Sequence, residues 1–207
     1  MSGGGARITG GELRGRGLDV GPGVRPTEGR VREALFSIWQ ETIPDSRFLD
    51  LFAGSGAAAF EALSRGASSA VLVEQAPAVL RCLERNVREL GLGARVKLRR
   101  GVLPGALRGM AERPERFEHV FADPPYAFDG HARLLAMASL LLTEGGELVL
   151  EHSARVEPLG GAGSLVLVDR RRYGESALSF YRVDATAAAT AGGSVREEEG
   201  DLLEVDS

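Results

Sequence analysis

The sequence predicts an α/β fold: a mostly parallel sheet with helices on both faces. Three observations carry that expectation. From Phe48 onward, short apolar runs alternate with segments of helical period. The first run ends in a glycine-rich turn and the second ends on an acid, as in a βαβ unit that binds a ligand. The last two apolar runs follow one another with no helical pattern between them, which places an antiparallel hairpin at one edge. Seven strands are expected in all.

Taken in order, residues 6–20 are rich in Gly and Arg and alternate, so a small hairpin is expected, turning near Gly10-Gly11 or Gly15. After Gly21-Pro22-Gly23-Val24-Arg25-Pro26, Thr27 can cap a helix, with Glu28 favourable in its first turn. Val31, Leu35 and Ile38 give that helix one apolar stripe through about Gln40, and Pro44 ends the region. Strands are expected at Phe48–Phe52, Ala70–Glu74, Arg95–Arg99, Glu118–Ala122 and Glu147–Glu151. Helices are expected at Ala57–Arg65, Ala76–Leu90, Leu103–Glu112 and His131–Leu142. Gly66 and Gly91 sit where helix-ending glycines belong. The closing strands fall near Leu165–Asp169 and Ala177–Val183.

The organisation follows: residues 1–44 form a hairpin-and-helix extension, 45–183 the α/β domain and 184–207 a disordered acidic tail. Of the 207 residues 43% are hydrophobic, ample for a core, but only 6% are aromatic, so Leu, Val and Ala must fill it. The whole-chain charge of −4 conceals a division. The tail has seven acids against one base, a net −6, which leaves residues 1–183 at +2. A mildly basic, Arg-rich body is compatible with a polyanion partner. No apolar run reaches the roughly 18 residues of a membrane span, and the N-terminus lacks the apolar core of a secretory signal. Cys82 is the single cysteine, so no intrachain disulfide can form. The expectation is a reduced, cytoplasmic protein with no membrane partner, acting as a monomer.

The chemistry concentrates at three strand ends. The first strand runs into Asp50-Leu51-Phe52-Ala53-Gly54-Ser55-Gly56-Ala57. Glycines at 54 and 56 let the backbone turn tightly against a ligand. Glu74 ends the second strand twenty residues after Gly54, where a carboxylate can accept both hydroxyls of a ribose. Gly54 to Ala59 also satisfies the G-x-G-x-x-A form of a dinucleotide site, so an NAD-linked oxidoreductase stays open. Asp50, four residues before the first glycine, could meet an ammonium group, which NAD lacks. The fourth strand ends on Asp123-Pro124-Pro125-Tyr126, which hydride transfer does not need. An aromatic amine is a poor nucleophile because its lone pair is delocalised, and it is essentially non-basic. An acceptor beside its N–H can orient it and favour the charge that develops on attack. Asp123 is such an acceptor and the Pro124 carbonyl a second. Two prolines stiffen the turn, and Tyr126 offers a face on which a base can stack.

These motifs resemble the Rossmann-like class I methyltransferases that use S-adenosylmethionine on exocyclic amines. Further residues narrow the resemblance: Arg7-Ile8-Thr9-Gly10-Gly11, Gly15-Arg16, the block Arg25-Pro26-Thr27-Glu28-Gly29-Arg30 through Phe36, Phe60 to Ala67, and Tyr173-Gly174. Over about residues 6–183 the chain is similar to the bacterial RsmD-type methyltransferases of guanine N2 in 16S rRNA. The resemblance implies S-adenosylmethionine as cofactor, held by Thr27, Asp50, Phe52, Ala53, Gly54, Ser55, Gly56, Glu74, Gly101 and Val102. It implies that Asp123, Pro124, Pro125 and Tyr126 receive the guanine. It implies that Arg7, Arg14, Arg16, Arg25 and Arg30 face the RNA, either naked or in a partly assembled small subunit. One departure stands: Arg99-Arg100-Gly101-Val102-Leu103 has no carboxylate for the adenine amine, so backbone and apolar packing must hold that ring.

The residues alone leave other readings open. Asp-Pro-Pro-Tyr does not separate guanine N2 from adenine N6 on DNA or RNA. The missing acid after the third strand leaves a non-catalytic RNA-binding factor as another. His119, His131, His152 and Cys82 have no metal-ligand spacing, so no metal site is expected and the histidines are read as ordinary positions. Trp39 is read as partial core. Arg170-Arg171-Arg172 could grip phosphate or form a solvated turn.

Overall fold

A computed structural model describes residues 6–23 and 29–184. Thr27 and Arg25 fall outside the described residues, as does the tail beyond Asp184. The elements run α1 (Gly29–Ile38), β1 (Arg47–Leu51), α2 (Ala57–Ser64), β2 (Ser69–Glu74), α3 (Pro77–Glu89), β3 (Val96–Arg100), α4 (Leu107–Ala111), β4 (Phe117–Ala122), α5 (His131–Ser139), β5 (Leu142–Ser153), β6 (Gly161–Ala162), β7 (Leu165–Tyr173) and β8 (Ser176–Val183). They build one sheet of order β3-β2-β1-β4-β5-β8-β7-β6. The first five neighbours pair in parallel, and β8 pairs antiparallel with both β5 and β7. This is the class I methyltransferase topology. The β1/β4 boundary is its switch point, where ligands bind beyond the carboxyl ends of the strands.

Helices cover the sheet on both faces. Leu49, Leu51, Val120, Ala122, Leu148 and Leu150 pack with α4 and α5 on one face. Phe48, Phe121, Val149 and Phe180 pack with α1 and α2 on the other. Continuous apolar strands such as Ser-Ala-Val-Leu-Val-Glu of β2 suit burial on both sides. Trp39 is fuller core than expected, 2% exposed. It meets Phe48 edge-on and donates its indole N–H to Glu147 at 2.7 Å.

Several boundaries differ from expectation. The sheet has eight strands, because two-residue β6 pairs onto the β7 edge. The N-terminal hairpin reduces to a single bridge between Arg7 and Gly17. Its two arms also bond each other, Ile8 N–H to Arg16 O and Leu18 N–H to Ala6 O, and its tip bonds α2: Glu12 N–H donates to Ser64 O, and Leu13 N–H to Ser64 Oγ, both at 2.8 Å. Gly11 permits that docking; a Cβ there would lie 1.9 Å from Ser64 O. Helix α5 stops at Ser139 rather than Leu142, since Leu142 already pairs with Phe117 in the sheet. Helix α4 shortens to Leu107–Ala111 behind Pro104 and Gly105.

The N-terminal segment shares its core with the sheet: Ala6, Ile8 and Leu18 belong to the cluster of Phe36, Phe48 and Leu63. Asn86 on α3 ties it further, accepting from Asp19 N–H and donating to Asp19 O. At the other end of α2, Gly56 has φ +74°, and a Cβ there would come 2.5 Å from Phe60 and 2.7 Å from Leu83. Gly56→Ala is expected to lower the unfolding free energy by roughly 2–4 kcal/mol, the sum of left-handed strain and overpacking. Urea denaturation measures it.

Candidate active site

The carboxyl ends of β1 to β5 open onto one cavity of about 740 Å³. That is the size of a site for a small molecule. Phe52 and Gly54 line it after β1, and Glu74 and Gln75 after β2. Gly101, Val102 and Leu103 follow β3; Asp123 to Tyr126 and Phe128 follow β4. The acceptor tetrapeptide and the glycine–acid pair therefore border the same space, brought there by the parallel register of β2, β1 and β4.

Glu74 is locally fixed. One carboxylate oxygen accepts from Gly54 N–H at 3.1 Å; the other accepts from Gln75 and Ala76 N–H, each at 2.8 Å. The acid thus ties the glycine loop to the start of α3 while facing the cavity. Phe52 sits at φ +64°, a conformation that is strained for a bulky side chain. Its ring meets Phe128 edge-on at 5.1 Å, and Phe128 meets His131 in the same way at 5.1 Å. Beyond the strained residue, the row of rings forms one wall. The prolyl turn is closed by Phe128 N–H donating to Pro125 O at 2.8 Å. Asp123 is half-buried, whereas Tyr126 is 81% exposed at the mouth.

Other expected site residues do not line the cavity. Asp50 is 3% exposed and accepts from Ala59 N–H at 3.2 Å, turned towards the first turn of α2. Ala53, Ser55 and Gly56 form the turn that leads into that helix; Ser55 is buried, with its carbonyl accepting from Asn86. None of these four lines the cavity. Burial pushes the Asp50 carboxyl well above the usual carboxylate range, and the charges of Asp123 and Glu74 add to it. A raised acid costs nothing below its unfolded value near 4; the cost begins as the pH rises past that value and is complete above the folded one. Asp50→Asn keeps the acceptor for Ala59. It is expected to raise the thermal midpoint of the ligand-free protein at pH 7, with the gain vanishing as the pH falls to about 4. Calorimetric scans of both proteins across that range check it.

The described arginines among those expected to face RNA do not line the cavity. Arg7, Arg14, Arg16 and Arg30 are exposed. Arg7 donates to Gly15 O, and Arg16 donates to Glu89 O on α3 at 2.8 Å. Among the cavity residues that escaped the sequence reading are Phe128, His131, Glu151 and His152. Only Glu151 had a usable signal, since it ends an expected strand as Glu74 does. The histidines read as ordinary positions divide accordingly. His119 is buried beside Trp39, where burial lowers its pKa, while His131 and His152 border the cavity. Among the described residues no three His, Cys, Asp or Glu gather as metal ligands, and no helix is long and apolar enough to cross a membrane.

Residues 6–182 match the family model described as conserved hypothetical protein 95. The chain belongs to this family, the RsmD-type methyltransferases. It is 42% identical over 154 residues to ribosomal RNA small subunit methyltransferase D of Escherichia coli (strain K12), covering 73% of each chain. It is 36% identical over 147 residues to the protein of the same name from Haemophilus influenzae, covering 69% of this chain and 72% of the relative. Among solved structures, a hypothetical protein of Thermus thermophilus superposes with a TM-score of 0.75 at 40% identity, over 86% of this chain and 99% of that one. The RsmD-type fold and its cavity thus belong to a methyltransferase enzyme.

Proposed function

We propose that the chain transfers a methyl group from S-adenosylmethionine to the exocyclic N2 of a guanine in 16S rRNA. The observation that carries this reading is that Glu74 and Asp-Pro-Pro-Tyr share one cavity. The names of the Escherichia coli and Haemophilus influenzae relatives support small-subunit rRNA as the substrate.

The residues present fit the cofactor. Glu74 offers carboxylate oxygens of the kind that accept from vicinal hydroxyls, and the glycine turn leaves the backbone close to the cavity. Val102, 67% exposed on the cavity wall, gives an apolar flank for a ring where no acid is available. When bound, S-adenosylmethionine supplies an electrophilic methyl carbon on a sulfonium. Asp123 accepts an N2–H, which holds the amine in place and stabilises the positive charge that builds on nitrogen. The Pro124 carbonyl takes the second N–H. Tyr126 at the mouth stacks on the base, a contact worth roughly 1–3 kcal/mol. The base must leave its helix to enter, at a cost of a few kcal/mol that phosphate contacts from the arginines offset.

The test is methyl transfer onto small ribosomal subunits that lack the modification, followed by digestion to nucleosides and mapping. N2-methylguanosine is the expected product. N6-methyladenosine would overturn the choice of amine, and no transfer would overturn the reading.

A further inference from the structure

Asp123 is not the only acid at the acceptor side of the cavity. Strands β4 and β5 run parallel with Phe121 opposite Val149 and Ala122 opposite Leu150, so the next pair in register is Asp123 and Glu151. Side chains alternate along a strand. Ala122 and Leu150 face one core cluster, and Phe121 and Val149 face the other. Extending that alternation, Asp123, the residue after β4, and Glu151, still within β5 and paired with Leu178, fall in the row of Phe121 and Val149 on strands about 4.8 Å apart. Both line the cavity, yet Glu151 is only 7% exposed. His152 alternates to the opposite face, where its Nε2 lies 2.7 Å from Ser179 Oγ.

Two adjacent acids recognise a particular edge. An ionised carboxylate only accepts hydrogen bonds. Guanine presents two neighbouring donors, N1–H and the N2 amine. Adenine presents its amine beside the N1 lone pair, which a second carboxylate would repel. Resting on the function proposed above, we infer that Glu151 is a specificity-determining residue. Its carboxylate accepts guanine N1–H while Asp123 accepts from N2. The pair admits guanine and rejects purines whose N1 is an acceptor. A site built around a hydrogen bond discriminates strongly because the mismatched partner leaves buried polar groups unpaired.

The decisive probe is 2,6-diaminopurine, which keeps the N2 amine but has a lone pair at N1. Small subunits are reconstituted with 16S rRNA carrying guanine or 2,6-diaminopurine at the mapped target. The full chain and Glu151→Gln are compared by kcat/KM, with S-adenosylmethionine binding by calorimetry as a check on folding. The wild type is expected to prefer guanine by on the order of 100-fold. Glu151→Gln, whose amide can donate to N1, is expected to lose roughly 10–100-fold on guanine and to bring the two bases within about 10-fold of each other. An equal loss on both bases, leaving the ratio unchanged, would mean Glu151 only supports the fold and would overturn the inference. A wild type that methylates both bases equally overturns it without the variant. A wild type that leaves guanine N2 unmethylated overturns the parent reading instead, so the two failures are distinguishable.

Discussion

Asp123→Ala is expected to fold, to bind S-adenosylmethionine with near-wild-type affinity, and to lose roughly 10²–10⁴-fold in kcat. Asp123 follows the last residue of β4 and stands half-buried at the cavity wall, outside the buried hydrophobic core. The cofactor contacts expected of Glu74, Gly101 and Val102 come from other strand ends and are left in place. The amine then loses the acceptor that orients it and offsets its developing charge, a contribution larger in the transition state than in the ground state. Single-turnover methylation with saturating cofactor, alongside calorimetry, separates the two effects. Near-wild-type turnover would remove Asp123 from the chemistry.

Glu61→Ala carries the largest expected loss of stability. Glu61 lies on α2 with no exposed surface. One of its oxygens accepts from Thr9 N–H and the other from Thr9 Oγ1, each at 2.8 Å. Arg65 reaches it at 2.8 Å, and Arg32, 3% exposed on α1, lies 3.5 Å away. One carboxylate therefore joins the N-terminal segment, α1 and α2. An ion pair this deep gives little over an apolar core, but removing one partner leaves a buried guanidinium without its counter-charge. A loss of about 3–5 kcal/mol is expected, a large share of the roughly 5–15 kcal/mol typical of a domain. Urea denaturation followed by circular dichroism measures it. A change below about 1 kcal/mol would mean that the arginines re-partner and the cluster is dispensable.

How far the sequence spoke depended on the kind of signal. The β2 run Ser-Ala-Val-Leu-Val-Glu and the Val31-Leu35-Ile38 stripe carry their own period, so burial is written into them. The strand ends at Glu74 and Asp123 were legible for the same reason: an acid or a proline pair halts an apolar run. At residues 6–20 the antiparallel pairing of the two arms was legible, but the docking of the segment on Glu61 and Ser64 of α2 was not, because it joins parts of the chain some fifty residues apart. Phe128 and His131 gave no sign in sequence either. They become one wall with Phe52 only when β1 and β4 lie side by side.

The sequence by itself determined the α/β class, the parallel core with its antiparallel edge, and the residues at three strand ends. These follow from local periodicity and from residues that stop a strand. Only the tertiary structure decided which of those residues face one another. It buried Asp50, with one carboxylate oxygen accepting from Ala59, because the first turn of α2 offers a buried carboxylate a donor. It also brought Glu151 to the wall of the cavity that Asp123 lines, because register between strands far apart in the chain is fixed by packing on both faces of the sheet.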